Sequence, residues 1–303
     1  MNSNTSEQRH NYFSKEVLSS VHINFLFGAG VNGKVFPQLD GFIKTNNKMI
    51  EFGYSDEIGF EDRIDLLNEE QREIIKRAFI EEFKEYESGI DYDNPSIKNI
   101  ELMLSKAAQI VSATQNRTRS MKQINIYTLN YDCIIEYVLQ SLGLFYNSIS
   151  ASNIRNSAQL MNVIGYDYSI RNYVPSFLIS KLHGDISAPI IPGRQKYKEL
   201  LDEDYFEIAF NMKEHLCKPN SILIVIGYSG NDKHINKILM DCIGAGLRIY
   251  WYKYKKEDNP IEVDKHQIFI QEQPDYYNLQ DTTRNCYEDL CEIWEEKLEE
   301  LLK

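Results

Sequence analysis

Along the chain, short apolar runs that end in glycine or small polar residues alternate with longer stretches whose apolar residues recur every third or fourth position. A short apolar run bounded by turn formers reads as a buried strand, and the longer period as an amphipathic helix. Strands are expected at Ile23 to Phe27, Ile124 to Thr128, Phe177 to His183, Ser221 to Ile226 and Leu247 to Tyr254. Phe13, Val17 and Leu18 suggest a short helix leading into the first strand. Glu69 to Tyr86 sets Ile74, Ile75, Ala78, Phe79 and Phe83 on one stripe, and Asn94-Pro95 opens a helix carrying Ile97, Ile100, Leu102, Leu104, Ala108 and Ile110. A loop around Arg117 and Arg119 comes next. Helices are also expected over Cys133 to Leu142, over the charged stretch 196–217, and from Lys233 to Ile243. Phe36 to Phe60, rich in Gly, Asn and Asp, reads as a loop or small extended excursion. The tail Tyr287 to Leu302 aligns Leu290, Ile293, Trp294, Leu298, Leu301 and Leu302, a face for its own domain or for a partner helix.

Strands that each enter a polar turn, and mostly a helix, imply a parallel sheet covered on both faces. The expected fold class is therefore α/β, a Rossmann-like doubly wound parallel sheet with a helical insertion. One domain would span 1–303, with the insertion at about 61–120 and the C-terminal helix at 285–303.

Composition narrows the picture. The 303 residues are 43% apolar and 26% charged, an ordinary globular balance, and the net charge of −12 gives no electrostatic footprint for nucleic acid. Cys133, Cys217, Cys242, Cys286 and Cys291 form no CxxC pair, so neither a disulfide framework nor a zinc ribbon is indicated, and a reducing cytoplasm fits. The first residues are polar, and no apolar run approaches the ~18 residues needed to span a bilayer.

The chemistry gathers where strands end. Val21 to Gly33 (VHINFLFGAGVNG) runs from a strand into Gly28, Gly30 and Gly33, whose lack of Cβ lets backbone approach a ligand and leaves N–H groups for an anion. It satisfies the dinucleotide fingerprint GxGxxG. It nearly satisfies the P-loop through Gly28, Gly33 and Lys34, but Val35 offers no magnesium-binding hydroxyl, and Pro37 and Gly41 argue against a long helix. A tight turn after a core strand remains the plain alternative. Thr128, Asn130 and Asp132 share one side of an extended backbone at a strand's end, where open α/β sheets bind ligands. Asp132 is equally suited to capping the next helix, and Asn130 to a turn. His183, before Gly184, sits at the same kind of edge; a lone histidine there is also a common packing residue. Gly227, Tyr228, Ser229, Gly230, Asn231 and Asp232 make a second glycine turn.

Taken in chain order, GAGVN at 28–32, TLNYD at 128–132, KLHGD at 181–185 and GYSGND at 227–232 resemble the sirtuin family. The resemblance covers about residues 20–255, and its particular likeness is to bacterial sirtuin-like proteins of antiphage defence that hydrolyse NAD. It implies that Gly28, Ala29 and Gly30 open an NAD-binding loop, with Asn32, Thr128, Gly227, Ser229 and Asp232 as further nucleotide contacts. It implies Asn130 and His183 as the catalytic pair and Asp132 as a contact on the nicotinamide side. It also implies assembly as a homo-oligomer or beside a HerA-type ATPase or an Argonaute-like protein. Three departures stand out. The four-cysteine zinc module of protein deacylases is missing, since only Cys217 lies between the histidine motif and the last glycine turn. Asn32 replaces the usual serine, and the arginine expected soon after has no clear match.

Cleaving the bond between nicotinamide and ribose builds positive charge on the ribose carbon, and water must reach its opposite face. Asn130 is suited to positioning that water or the ribose hydroxyls. An imidazole titrates near neutral pH, which suits His183 to accepting a proton from either. No metal is required, because the cationic pyridinium leaves as a neutral molecule. The expected activity is NAD hydrolysis to ADP-ribose and nicotinamide in antiphage defence, activated within an assembly. The rivals are an NAD-dependent protein deacylase, a nucleotide-sensing subunit, and a Rossmann oxidoreductase using Glu51, about 20 residues past the fingerprint, as its ribose acid.

Overall fold

A computed structural model describes residues 13–33, 35–37, 42, 47–52, 64–114, 117–153, 165–190, 203–254, 268–273 and 286–302. In chain order the first elements are α1 (Lys15–Ser20), β1 (His22–Phe27), a 3-10 turn (Ala29–Asn32), α2 (Asn47–Glu51), α3 (Glu69–Ser88) and α4 (Pro95–Ala113). Then come β2 (Gln123–Thr128), α5 (Ile134–Ser141), β3 (Phe145–Ile149), β4 (Gly165–Asp167), β5 (Asn172–Val174), β6 (Ser176–Lys181), β7 (Gly184–Asp185) and β8 (Ala188–Pro189). The chain continues through α6 (Glu203–Leu216), β9 (Ser221–Ile226), α7 (Lys233–Gly244), β10 (Arg248–Tyr254), β11 (Ile268–Gln273) and α8 (Cys286–Leu302).

Seven strands form one parallel sheet in the order β11-β10-β9-β1-β2-β6-β3. β1, β2, β6 and β9 are buried along their whole length, as strands covered on both faces must be. From β1 the chain builds β2, β3 and β6 on one side, then returns to place β9, β10 and β11 on the other. That reversal opens a crevice at the carboxyl ends of β1 and β9. The fold is the expected α/β, Rossmann-like one.

Alternation along the strands sorts side chains into two cores. Ile23, Phe25 and Phe27 face one layer, with Phe79 and Phe83 of α3, Ile100 and Leu104 of α4, Ile134 and Val138 of α5, and Leu290 and Trp294 of α8. Leu26, Tyr127, Leu223 and Val225 face the other, with Ile208 and Met212 of α6 and Leu239 of α7. Asn24 interrupts the apolar run of β1 and is fully buried. It accepts from Asn125 Nδ2 (2.8 Å) and donates to the Ile222 carbonyl (3.0 Å), while Gln123 donates to Asn125 (2.7 Å), so a polar ladder crosses β2, β1 and β9 with its bonds made.

The helices start where side-chain caps stand. Asn68 and Gln71 form a capping box on α3, and Asn94 caps α4 with Pro95 at its first position. Both helices lie between β1 and β2. α8 packs on its own chain through Trp294 and Leu290, both fully buried.

Several expectations shift. Two strands of the main sheet went unforeseen, β3 and β11; both are edge strands, and β3 is mostly half-exposed, which blurs its alternation. Residues 47–51, within the expected loop, form α2. Leu102 and Leu302 are 47% and 70% exposed, whereas Met103, Ala107 and Val111 fill the α4 face. The strand expected to reach His183 stops at Lys181. Arg117, in the loop expected after α4, is buried, and its guanidinium donates to the carbonyls of Val21 (2.6 Å), Met121 (3.1 Å) and Leu18. Cys217 and Cys242, unrelated by any motif, bring their Sγ atoms to 3.0 Å between the end of α6 and α7. Lys34, Gly41 and residues 196–202, as well as most of 36–60, lie outside the described residues. Among the described residues no helix is long and apolar enough to cross a membrane.

Candidate active site

Four neighbouring strands stop level with one another: Ile226 of β9, Phe27 of β1, Thr128 of β2 and Lys181 of β6 are successive register partners. Each of the four sequence motifs begins at that line or one residue beyond it. With strands about 4.8 Å apart, residues from 28 to 232 converge along a rim of roughly 15 Å. Asn130 and His183 each lie two residues past the Thr128–Lys181 pair, on adjacent strands.

The two glycine turns interlock. Gly28 N–H donates to the Ile226 carbonyl and Gly30 N–H to the Gly227 carbonyl, both at 3.0 Å. A Cβ on Gly28 would fall 2.3 Å from the Gly227 oxygen, and one on Gly227, whose φ is +68°, 2.3 Å from the Val31 nitrogen. The close approach these glycines permit is therefore first to each other, and two of the donors expected for an anion are already bonded to protein. Ala29 remains exposed at the rim. Gly28 leads into a short 3-10 turn, with no long helix after it among the described residues. The Tyr287 hydroxyl of α8 donates to the Val31 carbonyl and ties the turn to the C-terminal helix.

Asn32 is buried and donates through Nδ2 to Asp132 Oδ2 at 2.6 Å, while its Oδ1 has no partner. Asp132 Oδ1 accepts the Ile134 N–H (3.0 Å) at the start of α5, but from one residue before the N-cap position, which Cys133 holds without a side-chain bond. Burial pushes the Asp132 carboxyl up to about 6, against the pull of Lys181, the Ile134 N–H and Asn32. Asn130 donates its backbone N–H to Thr128 Oγ1 (3.1 Å), which sets the turn, and its buried side-chain Nδ2 has no partner. One unsatisfied amide donor and one unsatisfied amide acceptor thus stand on this rim, as a polar ligand would require.

His183 Nε2 lies 3.0 Å from Asp232 Oδ2. Gly184 has φ +78° and its Cβ position would meet the Ala188 oxygen at 2.1 Å, so the turn after His183 is built for glycine. Asp185 secures the β7–β8 hairpin, accepting from Ser150 Oγ (2.6 Å), Ser152 Oγ and the N–H groups of Ser187 (2.8 Å) and Ala188 (3.0 Å). In the second glycine turn Ser229 is half-buried, and Asn236 of α7 braces the loop by donating to the Gly230 carbonyl at 2.6 Å.

Sequence patterns pointed to neither Lys181 nor Glu136, yet both stand at the site. Lys181 Nζ, nearly fully buried, pairs with Glu136 Oε1 at 3.0 Å and donates to the Asp132 carbonyl at 2.7 Å. Burial would lower its ammonium, but Glu136, Cys133 and Asp132 outweigh it and hold it above its ordinary range. The signal was a lysine ending an otherwise apolar strand. Among the described residues no group of three or more His, Cys, Asp or Glu side chains gathers as metal ligands.

Residues 124–274 match the family model described as a SIR2-like domain. No curated protein matches the chain. A solved structure reported under "Structural Basis for the Mechanism and Regulation of Sir2 Enzymes" shares 11% identity with a TM-score of 0.43, covering 98% of this chain and 97% of that one.

Proposed function

We propose that this chain, which carries a SIR2-like domain over residues 124–274, hydrolyses NAD to nicotinamide and ADP-ribose at the rim where β9, β1, β2 and β6 end. The observation that supports the reading is the placement of Asn130 and His183 two residues past register partners on adjacent strands, at the end of the sheet that carries the glycine turns, with the Asn130 amide donor buried and unsatisfied. The unpaired Asn32 oxygen adds an acceptor on the same rim.

Asn130 holds a ribose hydroxyl or the attacking water through Nδ2. His183 takes a proton from that water as its oxygen bonds to the ribose carbon and the glycosidic pair leaves with nicotinamide. Asp132, buried and bonded to Asn32, lines the side where the leaving group departs. Gly28, Ala29, Gly30, Thr128, Gly227 and Ser229 shape the nucleotide's bed. Glu51 lies on the exposed side of α2 and not at a strand end, which disfavours the oxidoreductase alternative. The resemblance of the motifs supports a role in antiphage defence by NAD depletion, within a homo-oligomer or beside a HerA-type or Argonaute-like partner.

Purified protein incubated with NAD is expected to release nicotinamide and ADP-ribose in equal amounts. His183→Ala and Asn130→Ala should each lower kcat by about 10²–10⁴-fold. Equal rates in all three proteins would remove the site, and O-acyl-ADP-ribose formed only with an acylated peptide would replace hydrolysis by deacylation.

A further inference from the structure

We infer that Asp232 is a positioning residue that fixes the tautomer and orientation of His183, an inference that rests on the NAD-hydrolysis reading for its kinetic consequence. The resemblance assigns Asp232 to nucleotide contact. Its carboxylate instead has protein partners on both oxygens. Oδ1 accepts the N–H groups of His234 (2.9 Å) and Ile235 (3.2 Å), capping the 12-residue helix α7, and Oδ2 faces His183 Nε2 at 3.0 Å. The two side chains are 7% and 12% exposed, so the pair is shielded from water.

Around it the loop is braced. Tyr228 hydroxyl donates toward the Asp232 carbonyl (3.1 Å) and the Asn236 side chain (2.8 Å), and the Tyr228 ring stacks on Trp251 at 5.6 Å. Capping alone does not call for a carboxylate, since Asn and Ser cap as well as Asp. What a carboxylate adds is an oxygen that only accepts. Opposite it, neutral His183 must carry its proton on Nε2, which leaves Nδ1 as the ring's lone pair and therefore its base. When Nδ1 takes a proton from water, the imidazolium forms against a carboxylate in a dry setting and is stabilised where it forms.

The substitution Asp232→Asn separates this role from its rivals. Asparagine keeps the cap, but with Oδ1 on the α7 N–H groups it turns an NH₂ toward His183 and forces the proton onto Nδ1. ¹⁵N spectra of histidine-labelled protein, with the His183 signal assigned by its loss in His183→Ala, should show the Nε2–H tautomer in the native protein and Nδ1–H in Asp232→Asn. Melting temperature should be preserved, while kcat falls about 10²–10⁴-fold with KM for NAD unchanged. An Nδ1–H tautomer in the native protein overturns the inference. So does an Asp232→Asn enzyme with native kcat, which would leave only a helix cap, or one whose KM alone rises, which would make Asp232 a nucleotide contact. If native protein does not hydrolyse NAD, the function proposed above fails, and the tautomer spectra still decide the pairing.

Discussion

At the scale of single residues, the rim is built against its own stability. Asp132 is fully enclosed, with a carboxyl near 6 instead of its ordinary 3.8. A raised carboxyl adds no pH-linked penalty while it is protonated in both states, below about pH 4. The penalty grows as pH rises from the unfolded value toward 6, and above 6 it levels off at about 3 kcal/mol. Asp132→Asn is therefore expected to stabilise the protein by about 1–3 kcal/mol at pH 8, read from denaturant midpoints, with the gain disappearing at pH 3.5. Asn32 can turn its free oxygen toward the new amide, which exchanges its unpaired oxygen for an unpaired NH₂ and leaves the number of unpaired groups unchanged. A gain equal at both pH values would show that the carboxyl titrates normally. Such a burial is kept where a charge or a donor is needed by something other than the fold.

At the scale of elements, α8 shows what docking contributes. Trp294 is fully buried, with its ring centroid 6.1 Å from those of Phe13 and Phe25 in edge-on contacts. Trp294→Ala should cost about 3–5 kcal/mol, measured by chemical denaturation. Because α8 also holds the Val31 carbonyl through Tyr287, the loosened helix should raise KM for NAD. Helices of this kind were legible in the sequence, since a 3.6-residue stripe survives wherever one face is buried and the other wet. Asn94-Pro95 and the glycine turns punctuated them, while the Asn68 cap of α3 was there to be read and was passed over. Edges were less legible: β3 is half-exposed, and half-exposed strands lose the contrast that period-2 patterns rely on. The role of Arg117 was hidden for a related reason, because a guanidinium that satisfies three buried carbonyls looks, in one dimension, like any basic loop residue.

At the scale of the whole molecule, two cores grip one sheet, and β1 and β9 lie at its middle with neighbours on both sides. Their amides should exchange with solvent only through global unfolding, whereas those of the β4–β5 hairpin, two strands that among the described residues pair with each other and with no third strand, should exchange far sooner. Hydrogen exchange followed by mass spectrometry reads this directly, and fast exchange in β1 would contradict the topology.

The chain alone determined where the inner strands, the longer helices and the glycine turns fall and that its polar motifs sit at strand ends, because those features come from local periodicity and from what glycine and asparagine permit. Tertiary structure alone decided which turns meet. Gly28 packs on Gly227, Asn32 reaches Asp132, and His183 finds Asp232, across separations of 49 to 199 residues. Strand order and register set those encounters. They arise from burying both faces of one sheet at once, a condition that no window of neighbouring residues contains.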